Sequence, residues 1–396
     1  MMTIREKIAA YADAQDPVYR RIALDIHEHP EVSNYEFYAC ERLSNQLRDE
    51  GFRVTVDVAG HRTGFTGTYK AEKPGPVLVF LAEYDALTGL GHGCGHNLFG
   101  PTSLLAAAAL RQVLDETGGE IRVYGTPGEE GGENGAAKGS FVREGFLRDV
   151  DAALCVHPGD RHQASSKNLA CLPVDIEFWG KSAHAAAAPE QGINALDALI
   201  LTYNGINALR QHVTPDVRIH GIVTSGGDAP NIVPAYAAGK FYLRAATVPK
   251  LEALRQRIER IVEGAALMTG ATGRMQPFQN RLDNMVPTPS FDAVYMKEMA
   301  LLGQHVLPPD TGCGIGSSDV GNISQVVPAI QPTICITDGP TPWHTEQAKA
   351  AAKSEKGLAS IALGAKALAL TALDLIEDPA LLAKIKADHA LEVARQ

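Results

Sequence analysis

The sequence predicts an α/β protein with an open sheet and a second, smaller domain inserted into it. Three observations predict this. Apolar runs of strand length alternate with amphipathic helical segments through the first part of the chain. The order then changes to βαββαβ, the ferredoxin-like arrangement, over residues 169–283. After a polar linker carrying Pro287 and Pro289, helix and strand signals return. Residues 1–168 and 284–396 are therefore assigned to one discontinuous domain, and 396 residues suffice for two ordinary domains.

The first helix is read from DPVYRRIALDIHEHPEV and stops at Pro30; the second, YEFYACERLSNQLRDEGF, is closed by Gly51. FRVTVDVAG and TGFTGTYK alternate like paired strands. PVLVFLAEYDA is a continuous apolar run that suits a strand buried on both faces. GLGHGCGHN follows it, and PTSLLAAAALRQVLDETG is a helix with Pro101 near its start. EIRVYGTPGEEGG and DAALCVHPG are further strands, one ending in a Gly/Glu loop and the other at a histidine.

In the insertion, ACLPVDIEFWG, DVRIHGIVTSGG, YAAGKFYLRAAT and RMQPFQ are strands. NALDALILTYNGINALRQHV and PKLEALRQRIERIVEGAALMTG are helices, the second with a stripe of Leu251, Leu254, Ile258, Ile261, Ala265 and Met268. The C-terminal part offers a helix in SFDAVYMKEMALLGQHV and a strand at the end of SSDVGNISQVVPAIQPTICIT. The loop TPWHTEQAK and a long helix over residues 347–375 complete it.

Composition narrows the function. A formal charge of −10 without a Lys/Arg block disfavours nucleic acid as a partner. The N-terminus lacks a signal-like apolar core, and apolar stretches such as SLLAAAAL are too short to span a bilayer, so a cytoplasmic protein without a membrane partner is expected. The six cysteines include no CxxC pair. Five are expected in the core; Cys94, between glycines and near histidines, is set apart.

GLGHGCGHN has three candidate roles: phosphate loop, metal nest or flexible turn. A dinucleotide loop needs GxGxxG, and here His96 stands where spacing misplaces the third glycine; a P-loop needs Gly-Lys-Ser/Thr. Cys94 and His96 are two residues apart, so an extended segment would turn both to one side. Thiolate and imidazole suit Zn²⁺ and related ions. Glu129, Glu130, His157 and His344 fall at other strand-end loops, where ligands bind in open α/β sheets. Each alone also reads as an ordinary residue: a packed cysteine, a strand-end histidine, a solvated acidic turn. Together they point to a metal site, with one carboxylate binding metal and its neighbour free as general base. So many candidate ligands favour two ions, an arrangement that suits hydrolysis.

The motifs EYDALTGLGHGCGHN, GTPGEEGG, VHPG, GKSAHAAAAPEQGINALDA, GGDAPNIVPAYA, TPWHTEQ and HEHPEVSNYE together resemble the M20 family of metallopeptidases and amidohydrolases. The nearest branch uses a Cys ligand and holds aminoacylase-1-like dipeptidases and the aminobenzoyl-glutamate and indole-acetyl-amino-acid hydrolases. The resemblance covers nearly the whole chain. It implies a two-metal, aminopeptidase-like catalytic domain with an inserted lid or dimerisation domain, hence a homodimer through the lid. It implies two divalent ions per protomer (Zn, Mn or Co), held by Cys94, His96, Glu130, His157 and His344, with Cys94 a candidate bridge. Glu129 resembles the catalytic base, Asp85 the Asp supporting the metals, and His184 the oxyanion-stabilising lid histidine, in many members across the dimer interface. Asn231 and Arg244 stand where lid residues contact substrate. His184 also reads as a turn histidine and Arg244 as a strand-face charge.

There are departures. Glu83 stands where many wider-family peptidases carry a metal-binding His, which removes the His-x-Asp motif. Asn97 replaces an Asp found in many auxin-conjugate hydrolases, and Trp343 is a bulky neighbour of His344. The expected activity is hydrolysis of the amide bond of a small N-acyl amino acid or dipeptide-like substrate. The leaving group would keep a free carboxylate for Arg244 and Asn231. The alternatives are a catalytically silent conjugate-binding protein on the same fold, disfavoured by the intact Glu129 and ligand set, and a nucleotide-dependent oxidoreductase, disfavoured by the glycine spacing.

Overall fold

The computed structural model describes residues 2–310 and 316–396. Cys313 lies outside them. The described residues form two compact units. One contains the chain up to Lys167 and from Met285 onward, save Gly316 and Ser317; the other is Asn168–Asn284 with those two residues.

The first unit begins with α1 (Ile4–Glu28), α2 (Phe37–Asp49), β1 (Arg53–Val58), β2 (His61–Lys70) and β3 (Val77–Ala82). It continues through α3 (His96–Thr117), β4 (Glu120–Gly125), α4 (Ala137–Arg143), β5 (Ala152–Leu154) and β6 (His157–Gly159). The second unit holds β7 (Ala170–Trp179), α5 (Ala195–Leu209), β8 (Arg218–Ser225), β9 (Tyr236–Ala245), α6 (Val248–Thr269) and β10 (Thr272–Pro277). The chain returns through α7 (Pro289–Leu301), α8 (Val320–Ser324), β11 (Ala329–Ile330), β12 (Thr333–Cys335), α9 (Glu346–Ala351), α10 (Glu355–Glu377) and α11 (Pro379–Ala394).

The large sheet has the order β1-β2-β4-β3-β5-β11. β3 is parallel to β4 and β5, and β5 to β11; β1, β2 and β4 pair antiparallel. β3 is buried on both faces, as its unbroken apolar run requires. Leu78, Phe80 and Ala82 join a core with residues of α1, α2, α3, α7 and α10, while Val79 and Leu81 join another with Ala137, Phe141, Val320 and Ile323. The parallel strands therefore end together, and the loops after β3, β4 and β5 share one edge of the sheet.

In the second unit the sheet order is β10-β7-β9-β8, all antiparallel. That is fourth, first, third, second, the order a βαββαβ unit adopts when both helices cover one face. Leu172, Val174, Ile176 and Phe178 of β7 pack with Leu199, Ile206, Leu251 and Ile258 of the helices. The other face carries the Asp175–Lys240 and Glu177–Arg274 ion pairs.

Several expectations are corrected. α1 begins at Ile4, twelve residues before the predicted start, and contains Pro17. Its buried positions Ile8, Ala12, Tyr19, Ile22 and Ala23 continue one stripe across the proline, and that burial outweighs the roughly 3 kcal/mol a helical proline costs. α3 begins at His96, so Pro101 sits inside it. DAALCVHPG is two strands, because β6 leaves the large sheet to pair with β12. The C-terminal helix is broken into α9 and α10, and Ser354 caps the second. Cys335 is only half-buried; Cys40, Cys155 and Cys171 are core residues as expected. No membrane-length stretch was expected, yet α10, with mean hydropathy 1.6, is long and apolar enough by composition alone. Of its most apolar window, 78% is buried in the protein, which makes it a core helix beside α3.

Gly125 ends β4 where a Cβ would fall 2.1 Å from the Phe65 ring, which stacks on Tyr84 between Glu83 and Asp85. Gly125→Ala is expected to cost about 1–3 kcal/mol by overpacking. A calorimetric scan should show a lower unfolding midpoint; an unchanged midpoint would mean that the Phe65–Tyr84 stack gives way freely.

Candidate metal centre

Glu83, Tyr84 and Asp85 follow directly on β3. Tyr84 is buried and donates its hydroxyl to Thr63 O at 2.6 Å. In an extended segment its two neighbours are then turned to the opposite side, and both are fully buried there. The next segment folds back on itself, with Leu87 N donating to Gly91 O and Gly91 N to Leu87 O. It ends at Gly95, whose φ of 82° puts it in the left-handed region as N-cap of α3. A Cβ there would lie 2.9 Å from Pro158. Cys94 and His96 are thus brought together by a left-handed turn into a helix, which corrects the extended geometry expected from their spacing.

The side chains converge. Cys94 Sγ lies 3.6 Å from His157 Nε2, and Cys94, His96 and His157 offer ligand atoms within 4.8 Å of one another. So do Cys94, Glu130 and His344, with His344 Nε2 3.5 Å from Glu130 Oε2. Two donors on one tetrahedral Zn²⁺ are about 3.4 Å apart for N and O, and about 3.6 Å for S and N. These pairs have that spacing, and Cys94 belongs to both groups. His344 is the exposed member, its backbone held at φ 61° and its N–H given to Gly93 O at 3.2 Å. Among non-glycine residues such a conformation clusters at functional sites.

Asp85 ties the parts together. One oxygen accepts His96 Nδ1–H at 2.9 Å, and the other accepts Glu130 N–H at 2.9 Å. This bond fixes the tautomer and leaves His96 Nε2 to face the cluster. Glu129 Oε2 stands 3.9 Å from that nitrogen, farther than a co-ligand.

The electrostatics are those of a site built for cations. Burial, then Glu83 and Glu130, raise the Glu129 carboxyl well above its ordinary value. Burial also raises Glu130 and, with Glu130 beside it, the Cys94 thiol. Burial lowers His157 to about 4, so its imidazole is neutral and ligand-competent. Burial opposes a charge on Asp85, but His96 outweighs it and the carboxyl falls below its usual range. Glu130 Oε1 is buried without a hydrogen-bond partner, which is costly unless a cation satisfies it. The donor set of thiolate, imidazoles and carboxylates fits two divalent ions.

Sequence reasoning missed the residues that hold this edge in place. The loop from Gly128 to Ala136 has positive φ at Gly128, Gly131, Gly132, Asn134 and Ala136. Glu36, buried, accepts from Gly128 N at 3.0 Å and from Thr63 Oγ1 at 2.8 Å. Asn34 donates to Glu133 O and Asn134 O. Lys138, in α4, is fully buried between Glu83 at 2.8 Å and Asp319 at 2.5 Å. Asn34 and Glu36 lie in the HEHPEVSNYE motif, so a signal existed for them. A single lysine in GAAKGS gives none.

The second unit carries the remaining predicted residues. His184 is exposed, and its Nδ1 accepts from Ala186 N and Ala187 N, both at 3.2 Å, which leaves Nε2 as the protonated donor. Asn231 is exposed next to it, its carbonyl accepting from Ala185 N at 3.0 Å. Arg244 is elsewhere. It pairs in register with Cys171 at the start of β7, whereas His184 follows the end of that strand at Trp179. Eight residues of strand separate those registers, about 26 Å. The structure brings His184 and Asn231 together and Arg244 to neither; Arg244 donates to Ser317 Oγ at 2.8 Å.

Comparison with known proteins agrees with this picture. Residues 168–268 match the family model of the M20 peptidase dimerisation domain. The chain is 36% identical to the Xaa-Arg dipeptidase of Homo sapiens over 94% of its length and 88% of that protein. It is 32% identical to one component chain of the p-aminobenzoyl-glutamate hydrolase of Escherichia coli, over 94% of its length and 92% of that protein. In fold it resembles a dinuclear metal-binding peptidase from the M20 family of Bacillus subtilis, with TM-score 0.63 and 20% identity over 91% of this chain and 99% of that one.

Asp85→Asn should weaken divalent-ion affinity about 10–100-fold, because it disturbs the orientation of both His96 and the Glu130 loop. Competition with a chelator measures this, and wild-type affinity in the variant would remove Asp85 from its supporting place.

Proposed function

The chain belongs to the M20 family of metallopeptidases and amidohydrolases, and from that premise we propose that it hydrolyses the amide bond of a small N-acyl amino acid or dipeptide-like substrate by a Glu129-activated water. The observation that carries this is the division between adjacent carboxylates: Glu130 faces His344, while Glu129 stands back from the ligand cluster, buried among like charges. Cys94, Glu130 and His344 would hold one divalent ion, and Cys94, His96 and His157 the other, with Cys94 shared. The thiolate favours Zn²⁺; the carboxylates also admit Mn²⁺ or Co²⁺. Bound there, the ions supply Lewis acidity to the carbonyl and lower the pKa of water. Glu129 accepts the proton of the attacking water and returns it to the departing amine. His184 Nε2–H donates to the developing oxyanion, and Arg244 pairs with a substrate carboxylate.

One small substrate cannot span the distance between His184 and Arg244 of a single chain. This supports a homodimer in which His184, with Asn231, serves the partner's site. The edge strand β8 supports it as well: Ile222 is 64% and Val223 52% exposed beside an unpaired strand edge.

The test is amine release by metal-reconstituted protein on dipeptides ending in arginine, aminobenzoyl-glutamate and N-acyl amino acids. Glu129→Gln should lose about 10²–10⁴-fold in kcat with its metal content intact. Equal rates in variant and wild type would refute the assignment of the base.

Mixing inactive Glu129→Gln with inactive His184→Ala should restore part of the activity once protomers exchange. Absence of recovery after exchange is demonstrated would place His184 at its own chain's site.

A further inference from the structure

Glu83 has no part in the reaction above, yet it is fully buried at the metal centre. Its Oε1 faces Lys138 Nζ at 2.8 Å and its Oε2 faces His96 Nε2 at 3.2 Å. His96 Nδ1 is committed to Asp85, so Nε2 is the nitrogen turned to the ligand cluster. Glu83, His96 and Glu129 offer atoms within 4.8 Å of one another, a third group that overlaps the Cys94–His96–His157 group at His96. Within it the distances differ: 3.2 Å from His96 to Glu83, against 3.9 Å to Glu129. Only the first is close to the roughly 3.4 Å separation of two N/O donors on one tetrahedral ion.

Lys138 explains why Glu83 holds this orientation. Its ammonium is clamped on the other side by Asp319, which also accepts the Lys138 backbone N–H at 3.1 Å. All three side chains are fully buried. A carboxylate with one oxygen pinned to a fixed cation has its second oxygen aimed.

Resting on the two-ion reading, we propose that Glu83 is a further ligand to the ion held by Cys94, His96 and His157, and that Lys138 is the positioning residue that aims it. Glu83 would then add a carboxylate at His96 to the donors Cys94 and His157, whereas the ion on Cys94, Glu130 and His344 would have three protein donors.

The experiment is Co²⁺ titration of metal-free protein by calorimetry, on the wild type, Glu83→Gln, Glu83→Asp, Lys138→Gln and His157→Ala. Glu83→Asp keeps the charge facing Lys138 and withdraws the ligand atom by one methylene, so it tests ligation without unbalancing the buried network. Both Glu83 variants should weaken one of two ions about 10–100-fold or more and spare the other. The affected ion should be the one lost in His157→Ala, so that the Glu83→Asp/His157→Ala double variant loses no further ion. Lys138→Gln should weaken the same ion selectively, whereas a purely structural lysine would lower the unfolding midpoint and leave both affinities alone. Two ions bound with wild-type affinity by Glu83→Asp, or selective loss of the other ion, would overturn the assignment. A wild type that takes up one ion would defeat the two-ion reading instead. Glu83 is then judged on that ion, and an unchanged affinity in Glu83→Asp overturns its role.

Discussion

The Asp85 carboxylate is the interaction on which the rest of the centre depends. A buried anion is tolerated only when its lone pairs are matched by donors, and Asp85 has found two from different parts of the chain. His96 comes from the first turn of α3, and the Glu130 N–H from the loop after β4. β3 and β4 are parallel neighbours, so their ends lie side by side whatever the loops do. Asp85 converts that coarse proximity into fixed orientation. The imidazole ring and the backbone of the glutamate loop are both referred to one carboxylate, itself set by the buried Tyr84 beside it.

The same region has too many carboxylates for a site without cations. Glu83, Asp85, Glu129, Glu130 and Asp319 crowd around one buried lysine and one buried histidine. Like charges at such range disfavour simultaneous ionisation, which is why burial and its neighbours push Glu129 upward. Held by these residues, divalent ions would offset that repulsion, and Cys94 would bind one as a thiolate. The strain in the Gly128–Ala136 loop belongs to the same economy. Its left-handed residues persist because Glu36 and Asn34 hold the loop from a separate part of the chain.

Much of this was legible in the sequence, and the exceptions have physical causes. The buried strand β3, the inserted βαββαβ unit and the coincidence of Cys94, Glu129, Glu130 and His157 at strand ends follow from apolar periodicity and from where acidic and sulfur-bearing residues interrupt it. His344 was legible as a loop histidine beside Trp343, but not its positive φ. The path from Cys94 to His96 was misread because spacing alone does not distinguish an extended pair from a left-handed turn into a helix. The first helix reads as starting at Asp16, whereas α1 starts at Ile4, and its stripe shows only when Ile8 and Ala12 are read in one period with Tyr19 and Ile22. Lys138 was invisible: its burial depends on Glu83 and Asp319, which are 55 residues before it and 181 after it. Ion pairs between distant segments leave no periodic trace.

The two glutamates show how adjacent residues of one chemistry come to differ. Glu130 has its backbone N–H fixed by Asp85 and its carboxylate turned to His344, so its position is determined from both ends. Glu129, one residue earlier, has neither tether, and its carboxylate lies in the space bounded by Glu83 and His96. A tethered carboxylate beside an imidazole is suited to hold a cation. One among like charges has its proton affinity raised, which suits the role of base proposed for it. The environments of two identical side chains differ in the way their proposed roles require, and those environments are set by β3 and by Asp85 at its end.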